Sequence, residues 1–376
     1  MKILIDVTEI TPYRLYSSIP IYIMRFLSTI KAQEIDEYIL LINEDFRYFF
    51  EKKYPGFQLL SFKFKGWNKF WHSNPKYKRC ILHFNKFLIK NNIDVIFIPT
   101  DYPFYLQEKL CCKKVVVVHD LKGIKRNTNS INECLEAYYI NNMYRRHLES
   151  ADEIIAVSKY TKQDIQIYYP QINEEKIHVV YNSVQIATNV IQPPNFTNKK
   201  YILFVNTLQK YKNIETLIKA YLKLEYRKDY KLVIVGKITQ YWSDEVLPLI
   251  NRYKIQENII LLQGISNEEL RYLYENASVF VTTSLNEGFG YTPIEAALCK
   301  CPVISSIQEA LPDSTQGLLN YYQPAMDDNA LVKQLRHVLE VPPSSEQLDS
   351  ISLLYKDLYS IKKQTDLIKK ILKYVR

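Results

Sequence analysis

"VFVTTSLNEGFGYTPIEAALCKCPVISS", residues 279–306, carries a strand, a glycine turn, a helix and a second strand in one short stretch. VFVTTS is an apolar run of strand length, and CPVISS (301–306) is another. Between them, Pro293 onward reads as a helix with Ile294, Ala297 and Leu298 on its packed side. Two apolar strands joined through a helix imply a parallel sheet covered on both faces. The chain has only eight glycines in 376 residues, well below the usual ~7%. Two of them, Gly288 and Gly290, stand in this turn, after Glu287 and before Glu295. In a glycine-poor chain, such positions are kept because the backbone requires them.

Two readings of the turn follow. Pro293 suits the first helical turn, where its missing N–H is not needed. Thr292 is then the expected N-cap, and Glu295, three residues on, completes a T-x-x-E capping box. On that reading Glu295 only ties down its own helix. On the other, the glycines bring main-chain N–H groups to a helix N-terminus with no side chain in the way. Oriented amides and the helix dipole there bind anionic oxygen, such as a phosphate.

Working outward, the same alternation runs through the chain. Expected strands are Ile3–Val7, Tyr38–Ile42, Val95–Pro99, Val115–Val118, Glu153–Val157 and Ile177–Tyr181. A second series comprises "YILFV" (201–205), "KLVIVG" (231–236), "NIILLQG" (258–264), "VFVTTS" (279–284) and "CPVISS" (301–306). Between the series lies Gln185 to Lys200, polar, without period and containing Pro193–Pro194, which reads as a linker. The expected architecture is two doubly wound α/β domains joined near residue 195, with a helix from about Tyr355 to the end. Ligands of such sheets bind beyond the carboxyl ends of the strands, so the expected site is the cleft between the domains.

Composition limits the alternatives. The apolar fraction of 47% is ordinary for a globular protein. No apolar run reaches the ~18 residues of a membrane span, and the N-terminus lacks the pattern of a secretory signal. Six cysteines without zinc-ribbon or CxxC spacing read as reduced thiols of a cytoplasmic protein. The net charge of +9 is uneven: residues 52–93 hold ten Lys or Arg and no acid. With Trp67, Phe70 and Trp71 interleaved, that stretch is either a solvated basic face or a patch for an anionic membrane surface. No nucleic-acid motif accompanies it, and nucleic acid is not an expected partner.

Glu287 and Glu295 with seven residues between them, the GFG after the first and "EAALCKCPVISS" after the second resemble the E-x7-E motif of the GT-B glycosyltransferases, and most closely glycosyltransferase family 4. "EALPD" (309–313) adds to the match. So do "VVVVHDL" (115–121), "ADEIIAVSKYTKQDI" (151–165), "KIHVVYNSV" (176–184) and "YILFVNTLQKYKNIETLIKAY" (201–221). The likeness is strongest over 115–320 and weakest before 95.

The resemblance implies a GT-B fold: two doubly wound Rossmann-like domains facing a cleft. The first, 1–190, would bind the acceptor; the second, 191–355, the nucleotide sugar; a C-terminal helix, 356–376, would cross back to the first. It implies a retaining hexosyltransferase acting without a metal or other cofactor on a nucleotide-diphosphate sugar, with GDP-mannose the first choice. The acceptor would be a glycan or lipid-linked glycan in surface polysaccharide synthesis, met by a cytoplasmic enzyme at the inner face of the membrane.

The resemblance also distributes roles. Lys212 matches the diphosphate-binding lysine, aided by Thr207 and Lys210, with Gly264 among the donor-side residues. Glu287 would hold sugar hydroxyls, with Gly288, Phe289, Gly290, Tyr291 and Thr292 offering backbone N–H groups. Glu295 would accept both ribose hydroxyls, as a carboxylate can do bidentately. His119 would contact the sugar or β-phosphate, making His119, Glu287 and Lys212 the catalytic set. Ser17, Ser18 and Asp120 would face the acceptor.

The chain departs from the family pattern after its first strand. Ser17, Ser18 and Pro20 stand where glycines are expected, and proline has no N–H to offer a phosphate. Asn206 stands for a common glycine before Thr207, and asparagine tolerates left-handed geometry. The competing expectations are a catalytically silent GT-B partner protein and a GT-B sugar-nucleotide epimerase. A phosphorylase would need a pyridoxal-phosphate lysine site, and none is evident.

Overall fold

The computed structural model describes residues 1–15, 17–63, 75–100, 107–125, 131–197 and 200–375. The chain divides into two compact units, Met1–Ser183 with Ile361–Arg376, and Val184–Ser360. Among the described residues the first unit contains β1 (Ile3–Asp6), β2 (Tyr38–Ile42), β3 (Gln58–Ser61), β4 (Val95–Ile98), β5 (Lys113–Val118), β6 (Glu153–Ala156) and β7 (Ile177–Val179). They form one parallel sheet in the order β3-β2-β1-β4-β5-β6-β7. The second unit contains β8 (Tyr201–Val205), β9 (Lys231–Val235), β10 (Ile259–Leu262), β11 (Val279–Thr282), β12 (Val303–Ser306) and β13 (Asn320–Tyr322). Its parallel order is β10-β9-β8-β11-β12-β13.

The apolar runs become central strands because helices cover both faces of each sheet, so every residue of β1, β2, β4 and β8 is buried. The helices present matching stripes. In helix Ile214–Leu222, Ile214, Leu217, Ile218 and Tyr221 are buried at the i, i+3, i+4, i+7 spacing of one face. Each such aliphatic side chain contributes about 1.5–3 kcal/mol, and Leu217→Ala would cost about 2–5 kcal/mol. In both sheets the strand order reverses at a central crevice, between β1 and β4 in one and between β8 and β11 in the other. Those crevices position the candidate site residues.

The expected strands are all present, their ends shifted by up to two residues, and two edge strands lie outside the expected set. β3 and most of β13 are only partly buried. An edge strand needs no continuous apolar run, so neither carries the pattern of a buried one. The stretch expected as a linker, 185–200, falls within the second unit. Arg271 Nη1 donates to the carbonyls of Ala187 and Thr188 at 2.7 and 2.8 Å, and buried Phe196 packs edge-on to Tyr201.

The C-terminal segment is two helices, Ser345–Leu358 and Ile361–Tyr374. The second belongs to the first unit, burying Gln364, Thr365, Ile368 and Leu372, while Lys369 Nζ donates to Thr29 O and Glu34 Oε2 at 3.0 and 2.8 Å. Of the basic stretch 52–93, residues 64–74, including Trp67, Phe70 and Trp71, lie outside the described residues. Among the described residues no helix is long and apolar enough to cross a membrane.

Candidate active site

In the second unit, the loops leaving β8 and β11 meet at the crevice. The first ends in a short 3-10 turn, Lys210–Lys212, stopped by Asn213 in left-handed conformation at φ 54°. Asn213 is pinned there: its Nδ2 donates to Ala325 O at 3.1 Å, and its Oδ1 accepts from Thr216 Oγ1 at 2.9 Å. Two bonds stitch the loops together, Leu285 N to Tyr211 O and Thr283 Oγ1 to Lys212 O, both 2.8 Å. This places buried Lys212 with Nζ 2.5 Å from Glu287 Oε1. Ser284 Oγ donates to the same oxygen at 2.9 Å. Among the described residues nothing donates to Glu287 Oε2, which leaves that oxygen to accept hydroxyls of a ligand.

The second loop is held by Glu309, the first residue of "EALPD", to which the sequence pattern attaches no role. In left-handed conformation at φ 49°, it accepts from Glu287 N at 2.7 Å and Asn286 Nδ2 at 2.9 Å. Ala310 N returns a bond to Glu287 O at 3.3 Å. "EALPD" therefore acts on the E-x7-E turn by fixing its backbone. A carboxylate on amide donors forms the stronger, charge-assisted type of bond.

The helix starts earlier than the capping-box reading requires. It spans Tyr291–Leu298, and its N-cap is Gly290 at φ 84°, with no side-chain cap bond. Thr292 is thus inside the first turn and does not cap. Glu295 does not return to the helix start either: its Oε2 accepts from the hydroxyl of buried Tyr274 at 3.1 Å. Gly290 is required twice over, by its positive φ and because a Cβ there would lie 2.6 Å from Leu311 Cδ2. Gly290 itself supplies no side-chain cap to the helix N-terminus.

The other donor-side residues divide. Phe289 is buried, edge-on to Tyr291 and Tyr359 with centroids 5.1 and 5.6 Å apart, so its ring is withdrawn from a ligand. Lys210 is turned away from Lys212 and pairs with Glu245 at 3.3 Å, three-quarters exposed. Thr207 is exposed, its N–H taken by Asn206 Oδ1 at 3.1 Å. Gly264, after β10, has φ 64° and open space where a Cβ would stand. Asn206 is not left-handed. The close approach at that position is made possible by Gly236, whose Cβ would fall 2.2 Å from Asn206 O.

In the first unit, His119 follows β5 and packs edge-on to Tyr22, centroids 5.1 Å apart. Its Nε2 lies 3.0 Å from Pro99 O, at the end of β4. A carbonyl only accepts, so Nε2 carries the proton and Nδ1 is the acceptor nitrogen. Burial holds the imidazole below its ordinary pKa of 6.5, so the ring is neutral at pH 7. Asp120 Oδ1 accepts from Lys122 N at 2.9 Å, shaping the loop after β5. Ser17 Oγ donates to Arg14 O at 2.7 Å, and Ser17 N bonds the same carbonyl at 3.0 Å. Helix Ser18–Leu27 begins next, with Pro20 in its first turn. Of that turn only Ser18 and Ile19 retain N–H groups for a ligand, fewer than a glycine turn would supply. Among the described residues no three His, Cys, Asp or Glu side chains converge as metal ligands.

Comparison with known proteins gives two adjoining family matches: residues 48–188 match the model described as Glycosyltransferase Family 4, and residues 185–352 the model described as Glycosyl transferases group 1. The O-antigen chain mannosyltransferase RfbU of Salmonella typhimurium is 28% identical over 258 residues, 65% of this chain and 70% of the relative. The O-antigen chain mannosyltransferase B of Escherichia coli is 30% identical over 227 residues, 56% of this chain and 57% of the relative. A crystal structure of a glycosyltransferase from Rickettsia africae shares the fold at a TM-score of 0.73 and 18% identity, covering 100% of this chain and 98% of that one. With the E-x7-E turn at the switch point of a twin-sheet structure, these matches establish that the chain belongs to the family 4 glycosyltransferases of the GT-B fold.

Proposed function

We propose that the protein transfers a hexosyl group, mannose first among the choices, from a nucleotide-diphosphate sugar to a glycan or lipid-linked glycan in surface polysaccharide synthesis, with retention and without a metal. The observation that carries the proposal is the Lys212–Glu287 pair, set at the turn that leads into helix Tyr291–Leu298. As the glycosidic bond breaks, negative charge grows on the β-phosphate. Lys212 and the amides of the Gly288–Thr292 turn stabilise it, at fixed positions and partly out of water. Glu287 Oε2 accepts sugar hydroxyls, and Glu295 accepts the ribose hydroxyls. His119, neutral and held by its bond to Pro99 O, contacts the sugar or β-phosphate. The two named relatives favour mannose and a polysaccharide acceptor. The basic stretch 52–93 supports work at an anionic membrane surface on the cytoplasmic side.

The test is donor hydrolysis and thermal shift with a panel of GDP-, UDP- and dTDP-sugars, repeated on Glu287→Ala and Lys212→Ala. One donor should stabilise the wild type and be turned over slowly, and both substitutions should remove the effect. Stabilisation surviving both would overturn the site, and binding without any turnover or transfer would favour the silent partner. Binding to anionic vesicles should fade with salt; salt-independent binding, or none, would remove the membrane role.

A further inference from the structure

A groove of about 550 Å³ runs along the outer side of β7, the terminal strand of the first sheet. Its opposite wall is one face of helix Ile361–Tyr374, including Leu367, Lys370, Ile371 and Tyr374. Four consecutive residues, 177–180, line the strand side. Successive side chains of a strand point to opposite faces, so a groove that touches all four meets the strand edge-on. Val180 N donates inward to Ala156 O at 2.9 Å. By the alternation of strand hydrogen bonding, the N–H and C=O of Val179 therefore point outward into the groove.

The groove is lined by one lysine, Lys370, and one carboxylate, Glu153. Three lysines follow one another on the helix face: Lys369 pairs with Glu34 at 2.8 Å and Lys373 reaches Glu37 at 4.0 Å. Lys370, between them, lines the groove and has no ion-pair partner among the described residues. The carboxylate present, Glu153, is engaged by His178 at 2.7 Å. The groove thus combines outward backbone groups, apolar walls and an ammonium that makes no ion pair among the described residues.

We propose that β7 is a docking edge for an extended, acidic–apolar peptide segment of a partner protein, added to the sheet as a further strand. The partner's main chain pairs with Val179, its apolar side chains fill the groove, and an Asp or Glu meets Lys370. The backbone decides between this occupant and a lipid chain. An alkyl chain in the groove would bury the Val179 amide and carbonyl unpaired, whereas a strand satisfies both. Charge complementarity with Lys370 sets the sign of the partner.

The test is selection of a phage-displayed library of short random peptides on the full chain. Enriched sequences should alternate apolar residues with Asp or Glu, and a synthetic copy should protect the amides of residues 177–181 from hydrogen exchange. Lys370→Glu should weaken that peptide about tenfold or more, and Ile371→Trp, which fills the groove, should abolish binding. Both variants should keep the wild-type melting temperature and donor binding. Lys370 is exposed, so that variant stays informative if the tryptophan disturbs folding. No enrichment, protection elsewhere, or affinity indifferent to Lys370→Glu would overturn the proposal. So would occupation of the groove by dodecyl phosphate or phosphatidylglycerol vesicles in preference to peptide.

Discussion

Lys212 and Glu287, far apart in the chain, meet with Nζ 2.5 Å from Oε1 where the loops after β8 and β11 converge. Their side chains are 9% and 15% exposed, so each is the main compensation for the other's charge. On the proposed function, a diphosphate entering the site would give Lys212 a second anion and release part of Glu287 to the sugar. The pair therefore ties the loop after β8 to the loop after β11.

Removing one partner should cost both stability and rate. Lys212→Ala should lower turnover about 10²–10³-fold and destabilise the second unit by about 3–5 kcal/mol, since it strands a buried carboxylate. Adding Glu287→Gln should restore part of the stability and none of the activity. Urea unfolding and donor turnover measured on the two singles and the double give the cycle. Strictly additive stabilities would mean the pair is not coupled.

Glu309→Ala should act through the backbone it holds. Losing two charge-assisted bonds to residues 286 and 287, about 1.5–3 kcal/mol each, should lower the melting temperature by several degrees and raise the donor KM about tenfold or more. Glu309→Gln should recover part of the affinity by keeping an acceptor. A KM unchanged in Glu309→Ala would show that the turn holds itself.

Gly290→Ala should destabilise the second unit by about 1–2 kcal/mol for the left-handed backbone alone, and by more through the contact with Leu311. Calorimetry on the variant, and on Gly290→Ala combined with Leu311→Ala, separates the two causes. Relief of the whole loss by the second substitution would leave no backbone cost at that position.

His119 should remain neutral to below pH 6.5, because burial opposes its charged form. The unfolded chain takes up a proton near pH 6.5 that the folded histidine refuses. Its contribution to stability is therefore present above that pH and is lost as pH falls toward the folded pKa. A histidine NMR titration reads this directly. A His119 midpoint at or above 6.5 would contradict the burial argument.

Lys114, fully buried, bonds Ser150 Oγ and Glu108 O, and burial lowers its pKa from 10.5 to about 7. Between those values the unfolded chain holds a proton that the folded one does not, so this lysine makes stability rise with pH from about 7 to 10.5. Lys114→Met should remove that slope. Denaturant unfolding of both proteins at about pH 7, 8 and 9 compares them, and parallel curves would show that Lys114 keeps its charge in the folded state.

Much of the fold was legible because buried parallel strands need apolar residues on both faces, and runs such as Tyr201–Val205 have no other use. The edges escaped. Gln58–Ser61 and Asn320–Tyr322 pair on one side only, and their composition does not differ from that of a loop. The polar stretch 185–200 read as a linker because the side chains that hold it, Arg271 and Tyr201, come later in the chain and leave no mark on its own composition.

At the site, the sequence by itself determined which residue types gather at the turn: scarce glycines, two carboxylates with seven residues between them, and a lysine in the loop after the first strand of the second series. Local backbone demands and spacing suffice for that. Only the tertiary structure decided which lysine is buried against Glu287 and which is drawn off by Glu245. It also decided that Gly290, not Thr292, begins the helix, and that Glu309 holds the turn. Those outcomes rest on single contacts between loops distant in sequence. Such contacts follow from how the strands are ordered in the sheet, and a loop's own residues carry no periodicity that would reveal them.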